Sequence, residues 1–518
     1  MKKLIVSVVA ALALVAGAAP EKIASVQITD VAGVVSAATK LGEFTGTAML
    51  GAMAAAQLAQ NPLAQFFGPG REGAATLVAV FQDGELKGDF DNGSEVFSIA
   101  FVYPVTRTKA QFLENFPEAT ETNGVIAVNG TGLLGESFVR FTADGKWAVA
   151  SDRKELLPVA LKEIATVAKP IGPRVARFRI TAKGVDTMVK LFDLAQDAGA
   201  KDGNASAEDL AQAKAAMKLV KDFYGQVAGA MADLSVTEKG LDFGFAAKPR
   251  AGSDLELFGK KTLGVDPLAF AGNEAYVAVA AAEDAGQGSA AKQADALYAL
   301  LAKYGIDTKW LAREKTPGCE KVTLDFDGAV AYFRGEGAAA FAKIDPQQFM
   351  KDFSAIGPKE IEIKGPAYSG SFALKGEKFA KTASERFAAV LPEAAAKKPC
   401  VVEMISLYAL VRTLAPKLVA FMPEEQRPVL KPMIDTLPPA GDGGIAAACW
   451  LEKGLITGLA RVSPDEVRGI SAIVNVGMGY FMMQAMSQMP GIDELGGEED
   501  FEDDGDPDGD ADPDGDEN

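Results

Sequence analysis

We predict a β-hairpin from the sequence Leu234-Ser-Val-Thr-Glu-Lys-Gly-Leu-Asp-Phe-Gly-Phe-Ala246, because two apolar runs flank a tight turn that contains a glycine. A similar hairpin returns as Ala448-Cys-Trp-Leu-Glu-Lys-Gly-Leu-Ile-Thr-Gly-Leu-Ala460. The two share the residues Glu-Lys-Gly-Leu, which stand at 238–241 and at 452–455. The segments that precede these two hairpins also resemble each other, so we interpret most of the chain as two similar halves.

Other landmarks recur in the same order in both halves. An apolar strand at residues 23–28 is matched by one at 275–279, and a helix cap at Thr108 is matched by a cap at Asp345. Each signal is common on its own, but their shared order favours an internal duplication over two unrelated domains. Strand pairs mixed with helices predict an α+β fold, with an antiparallel sheet and packed helices in each half.

The chain therefore divides into four predicted segments. Residues 1–18 form a signal peptide, 20–262 the first α+β repeat, 266–490 the second α+β repeat, and 493–518 an acidic tail of Asp, Gly and Pro. A length of 518 residues exceeds one ordinary core, so at least two domains are expected. The tail has the composition of a disordered segment.

The N-terminus has the features of a secretory signal. Lys2 and Lys3 precede an apolar run, which ends at Ala16-Gly-Ala18. This pattern predicts export to the periplasm or the exterior, and an N-terminal membrane anchor is the alternative.

The chain contains no histidine. This excludes Ser-His-Asp and Cys-His catalysis, histidine-ligated zinc and an imidazole general base. Carboxylate chemistry stays open, and a hydrolase using paired carboxylates is an alternative function. Asp325 and Asp327 are its candidates, since on a strand they would share one face.

Three cysteines are present, and they lack the spacing of a metal site. Cys400 and Cys449 both fall in predicted strands of the second half. A disulfide between them is one interpretation, and small buried apolar side chains are the favoured one.

The net charge of −18 comes mostly from the C-terminus. From Asp493 onward there are fifteen acidic residues and no basic ones, so the rest of the chain carries only −3. A mildly acidic body lacks the Lys/Arg clusters that nucleic-acid binding needs, so we expect no nucleic-acid partner.

The tail carries the only candidate metal ligands. The unit Asp-Pro-Asp-Gly-Asp occurs at 506–510 and at 512–516, and the run from Asp504 fits the first half of an EF-hand loop, although its twelfth position is Gly515. The tail resembles the Asp-rich calcium repeats of thrombospondin type 3 repeats and dockerins. That resemblance implies calcium as the ligand, and a plain acidic tail without a required cofactor is the alternative. The candidate ligands are Asp504, Asp506, Asp508, Asp510, Asp512, Asp514 and Asp516.

The last predicted helix starts at Ser463-Pro-Asp-Glu466 and runs to about residue 489. After Arg468 it has no charge, and it holds five methionines between residues 478 and 489. A core helix, a Met-rich face for a partner and a membrane-associated segment are the three interpretations.

These observations predict a secreted, non-catalytic protein with a structural or binding role in the cell envelope or outside the cell. A protein or another envelope component is its expected partner, and a membrane is disfavoured. The hydrolase and a membrane-associated protein held by the last helix are the alternatives. The sequence leaves the oligomeric state open.

Overall fold

A computed structural model of the protein describes most of the chain between residues 20 and 487. The described residues are 20–84, 96–129, 136–168, 171–201, 218, 221–222, 224–282, 289–316, 319–356, 368–376 and 378–487. The predicted signal peptide and acidic tail lie outside them, so the predicted cleavage and tail disorder stay predictions.

Helices and runs of consecutive strands are mixed along the chain, which confirms the α+β class. The strands are β1 (Glu21–Ile28), β2 (Thr76–Gln82), β3 (Phe97–Pro104), β4 (Thr120–Thr122), β5 (Val125–Val128), β6 (Ser137–Phe141), β7 (Trp147–Ser151), β8 (Arg174–Ile180), β9 (Val227–Thr237), β10 (Gly240–Pro249), β11 (Ala275–Ala281), β12 (Leu311–Thr316), β13 (Cys319–Leu324), β14 (Tyr368–Leu374), β15 (Val401–Ile405), β16 (Ile445–Glu452) and β17 (Leu455–Val462).

The helices lie between these strands and after the last one. They are α1 (Val31–Thr45), α2 (Leu50–Ala59), α3 (Pro62–Phe67), α4 (Lys109–Glu114), α5 (Leu157–Lys162), α6 (Ile164–Val167), α7 (Ala182–Lys201), α8 (Asp254–Gly259), α9 (Ser289–Lys303), α10 (Phe326–Arg334), α11 (Glu336–Phe341), α12 (Pro346–Ser354), α13 (Ala383–Val390), α14 (Leu407–Leu418), α15 (Arg427–Asp435) and α16 (Pro464–Ser487).

The described strands pair into one continuous sheet. Its order is β4-β5-β6-β7-β3-β2-β1-β8-β9-β10-β17-β16-β15-β11-β14-β13-β12. Among the described pairings, only β13 with β14 is parallel. The strands of the two predicted repeats therefore meet at β10 and β17, in the middle of a shared sheet.

Both predicted hairpins are present, but their turns fall at different residues of the shared sequence. In the second hairpin Lys453 and Gly454 form the turn, both with positive φ, which gives the twist that two-residue hairpins favour. In the first hairpin Glu238 and Lys239 form the turn, and Gly240 follows with φ of +131°. A methyl group on Gly240 would lie 2.1 Å from the carbonyl oxygen of Val462, so β17 approaches too closely for any other residue.

Both faces of the sheet are packed in the first half. On one face, helix α5 covers β2, β3 and β7, where Leu156 and Ala160 contact Val102 and Val149. On the other face, α7 covers β1, β2 and β8. In the second half α13 buries Phe387 and Val390 against β15 and β16, on the same side as Met404 and Ala448.

The meeting of β10 and β17 is held by a buried ion pair. Arg461 of β17 donates two hydrogen bonds to Asp242 of β10, at 2.6 and 2.8 Å. Arg461 is only 5% exposed, and it also donates to Glu393, at 3.0 Å. Lys239 of the first hairpin donates to the same glutamate, at 2.6 Å. We call these four residues the junction cluster; it joins the strands β1–β10 to the strands β11–β17 through side chains as well as strand pairing.

Burial alone would raise the pKa of Glu393, but the hydrogen bonds and charges of Lys239 and Arg461 outweigh it and lower that pKa to about 2. The carboxylate therefore stays ionised at all but very acid pH, and the cluster keeps its charges balanced.

The last helix begins where the sequence predicts. The Ser463 hydroxyl accepts a hydrogen bond from the amide of Glu466, at 3.3 Å, and Pro464 occupies the first turn. Among the described residues, the Glu466 carboxylate does not complete a capping box. It accepts a hydrogen bond from the amide of Tyr408 at the start of α14, at 2.7 Å, and the Ser463 amide donates to the carbonyl of Gly444. Residues up to Ile473 form one compact unit, and Val474 begins a second, whose described part is helical to Ser487. Within the described ranges, no helix combines the length and hydropathy of a membrane span.

We expect Arg461→Met to lower the free energy of unfolding by about 3–5 kcal/mol, because Asp242 loses its partner in a nearly buried position. Urea unfolding followed by circular dichroism measures the loss. The matched control is Lys431→Met, which breaks an exposed pair with Asp435 on α15 and should cost only roughly 0.3–0.5 kcal/mol. Equal losses for the two variants would contradict a structural role for the junction cluster.

Candidate binding surface

The two faces of the sheet differ around β15, β16 and β17. Val402 and Met404 of β15 point into the core beneath α13, so the side chains between them point to the opposite face. That opposite face carries Val401, Glu403 and Ile405, all partly exposed. It is the surface to which the functional proposals below refer.

One cross-strand row on this face runs from β15 to β10. Glu403 pairs with Ala447 of β16, Ala447 pairs with Ala460 of β17, and Ala460 pairs with Phe243 of β10. Directly paired residues of antiparallel strands project to the same face. A carboxylate and an aromatic ring therefore stand at the two ends of a row whose middle is two alanines.

The neighbouring row has the same form. Val401 pairs with Cys449, Cys449 with Gly458, and Gly458 with Phe245. The ring of Phe245 lies over Gly458, where a methyl group would come within 2.0 Å of it. The glycine is thus needed for this ring position.

These two rows define a surface of small residues with larger side chains on either side, which we call the central trough. Its floor is Ala447, Ala460 and Cys449, together with Gly458, which lies beneath the ring of Phe245. One side is Glu403 and Val401, and the other is Phe243 and Phe245. At one end Gly259 of α8 packs against Ile456.

The aromatic side of the trough is open to solvent. Phe243 is 46% exposed and Phe245 is 40% exposed. Single exposed apolar residues are common, but two aromatic rings beside a floor of small residues form a contiguous apolar patch of the kind used for binding.

Glu403 has an unusual environment for a glutamate. Burial raises its pKa, and the part of the chain that the structure describes offers its carboxylate no hydrogen bond or ion pair. Its paired neighbours on both sides, Val279 and Ala447, are apolar. A partly buried carboxylate that has no partner among the described residues costs stability, so Glu403 is a candidate for pairing with a cation of a bound partner.

The cysteines near the trough are thiols. Cys400 and Cys449 are not bonded to each other; the Cys400 thiol donates to the carbonyl oxygen of Cys449, at 3.3 Å. Cys400 is buried, as the favoured interpretation expects, and Cys449 is only partly buried. Burial raises the pKa of Cys449 to about 12, helped by Cys400 and Glu403, so this thiol is a poor nucleophile at neutral pH.

The residues proposed for a hydrolase do not form a pair on a strand. Asp325 caps helix α10 by accepting from the amide of Gly328, and Asp327 lies in the first turn of that helix. The expected strand position is wrong because the Asp325 side chain ends the extended segment and starts a helix. Asp325 binds Lys375 at 2.9 Å and Asp327 binds Lys417 at 3.1 Å, so each is held by a separate lysine.

The candidate calcium ligands of the tail, Asp504 to Asp516, lie outside the described residues. Within the described ranges, no group of three or more Asp, Glu or Cys side chains is placed to hold a metal ion. Calcium binding by the tail therefore stays a prediction.

The second unit presents an apolar stripe of its own. On α16, Val474, Met478, Phe481 and Met482 are exposed, and their spacing of four, three and one residues places them along one side of the helix. The interpretation of this segment as a core helix is not supported at these four positions.

No protein-family model matches the chain, and no curated protein sequence matches it. One solved structure, described as crystal form I of TP0453, is 9% identical to the chain in an alignment that covers 47% of this chain and 79% of that one. The TM-score is 0.21, which establishes no common fold.

We expect Glu403→Gln to stabilise the protein at neutral and alkaline pH. The pKa of Glu403 is raised in the folded state, so folding favours the protonated form, and stability falls as the pH rises above the ordinary glutamate pKa of about 4.3. The melting temperature of the variant should exceed that of the wild type at about pH 8, and the difference should vanish at about pH 3.5, below that pKa.

The matched control is Glu452→Gln at the end of β16. Hydrogen bonds from Trp450 and Lys397 lower the pKa of Glu452, so its replacement should give no gain at about pH 8. A Glu403→Gln variant that melts below the wild type at that pH would show that the carboxylate has a stabilising partner.

Proposed function

We propose that this protein is exported and non-catalytic, and that it binds an apolar partner in the cell envelope or outside the cell through the central trough. The observation that carries the proposal is the open row from Glu403 to Phe243, in which two alanines lie between an exposed ring and a carboxylate that has no partner among the described residues. The sequence supports export through its signal pattern, and it supports a non-catalytic role through its lack of histidine.

The geometry of the trough favours binding over catalysis. Its floor offers methyl groups, a glycine and a thiol of raised pKa, and Glu403 is its one acidic side chain. Paired-carboxylate hydrolysis needs a second carboxyl group within roughly 5–10 Å of the first. The hydrolase alternative would gain support only if a purified chain cleaved glycoside substrates and Asp325→Asn abolished the cleavage.

We also propose that the two repeats arose by internal duplication. Outward from the central pair, the first repeat supplies β10, β9, β8 and β1, and the second supplies β17, β16, β15 and β11. Each series is antiparallel throughout, and in each the innermost hairpin comes last in the chain. The order differs farther out, where β14 lies next to β11 and parallel to β13.

A membrane-associated protein held by the last helix is the second candidate function. The exposed stripe of Val474, Met478, Phe481 and Met482 favours it, since a helix at a membrane surface buries such a side in lipid. The acidic residues from 493 onward oppose it on anionic membranes. Flotation with neutral phosphatidylcholine vesicles separates the cases: a chain that stays in the soluble fraction contradicts the membrane function.

We expect the wild-type protein to bind the neutral dye Nile red with a blue shift and a gain of fluorescence, because the trough offers an exposed apolar patch. The double variant Phe243→Ser, Phe245→Ser should lose most of that gain. The control is Val265→Ser, which removes a fully exposed valine elsewhere and should leave dye binding unchanged. Wild-type protein without any dye response would contradict an accessible trough.

We further propose weak calcium binding by the tail, supported by its two Asp-Pro-Asp-Gly-Asp units. Calorimetric titration of the mature protein with CaCl₂ should give saturable heat, and a shortened chain ending at Ile492 should give none. Heat from both chains would place the site in the body. The absence of heat from the full chain would leave the tail as a solvated acidic extension.

A further inference from the structure

We infer that the central trough binds an amphipathic helix of a partner protein, whose apolar side rests on Ala447 and Ala460 and whose lysine or arginine pairs with Glu403. This inference rests on the proposed function and names the partner's chemistry. The trough residues come from β10, β15, β16 and β17, so the surface exists only where the two repeats meet.

The same face of the sheet already carries a helix in the first repeat. Phe245 shares a cross-strand row with Ala232, Phe178 and Val26. Phe178 packs against Met188 and Leu191 of α7. The face continues into the trough without changing side, and there the two rings of β10 are left exposed.

The dimensions of the trough suit a helix. Neighbouring strands lie roughly 4.8 Å apart, so the β15 and β10 sides are separated by about 14 Å. A helix with its side chains is about 10–12 Å wide. It can lie along β16 and β17, where the small side chains of Ala447 and Ala460 allow its backbone to approach closely.

The charge of the trough selects the partner. An unpaired carboxylate between apolar neighbours attracts a cation and repels an anion, and this discrimination is stronger once the contact excludes water. A partner helix therefore needs a basic residue beside its apolar stripe. The chain's own last helix does not meet this need, because Arg468 is its final basic residue and the exposed stripe beyond it has none.

The test uses two synthetic helical peptides of the same length. Both carry a leucine and alanine stripe, and they differ only in one position at the edge of that stripe, which is lysine in one and glutamate in the other. Binding of each to the full mature chain is measured by fluorescence anisotropy at low salt.

We expect the wild-type protein to bind the lysine peptide about tenfold more tightly than the glutamate peptide, and Glu403→Gln to reduce that preference to about twofold or less. The control Glu452→Gln removes a nearby exposed carboxylate and should keep the wild-type preference. The Phe243→Ser, Phe245→Ser variant should weaken binding of both peptides.

Three results would overturn the inference. Equal binding of the two peptides to the wild type would show that Glu403 does not select a basic residue of the partner. Failure of both peptides, with the Nile red response intact, means that the trough accepts small apolar molecules but no helix. Concentration-dependent self-association of the wild type that is lost in the Phe243→Ser, Phe245→Ser variant would assign the trough to a second copy of this chain. Absence of a Nile red response in the wild-type protein would contradict the proposed function, whatever the peptide results.

Discussion

The ion pair between Asp242 and Arg461 is the interaction on which the architecture depends. It joins two residues that lie 219 positions apart in the sequence, and it is nearly removed from solvent. Two hydrogen bonds fix the orientation of the guanidinium, and Glu393 and Lys239 balance the remaining charge. A shift of β17 by one residue would turn Arg461 to the other face, so the pair also sets the strand register.

That register has a consequence on the opposite face of the sheet. With Arg461 turned toward α13, its neighbour Ala460 must face the other way, opposite Phe243. The buried charge cluster and the open apolar trough are therefore two sides of one strand pairing. Helix α13 with the segment after it covers the charged side, and the apolar side keeps Phe243 and Phe245 exposed.

The sequence predicted the parts of this structure that depend on local signals. The strands of both hairpins, the caps at Thr108 and Asp345 and the start of the last helix are all present, because turn and cap residues act over a few positions. The position of the first turn within Glu238-Lys-Gly-Leu241 was not predictable, since it depends on the carbonyl of Val462 more than two hundred residues away. Asp325 was misplaced for a local reason: an aspartate before Phe326 fits a strand end and a helix cap equally well.

The trough could not be predicted from the sequence, although two sequence features of its residues can be recognised once the structure is known. Glu403 interrupts the apolar run from Val401 to Ile405, and Phe243 and Phe245 alternate with smaller residues. Neither signal reveals the other, because the pairing of β10 with β17 brings them into one row. The candidate calcium ligands of the tail differ from the trough residues. Their pattern is clear in the local sequence, but it involves no long-range contact among the described residues.

The central position of β17 has a consequence for the order of events during synthesis. β10 is made long before its neighbour, so for most of that time it has an unpaired edge of amide and carbonyl groups, with Phe243 and Phe245 beside it. Such an edge can pair with a strand of another nascent chain as readily as with β17. The sheet is completed only when β17, which is made more than two hundred residues after β10, pairs with it. The growing chain therefore exposes an unpaired strand edge at the place where β17 and the junction cluster later join the two parts of the sheet.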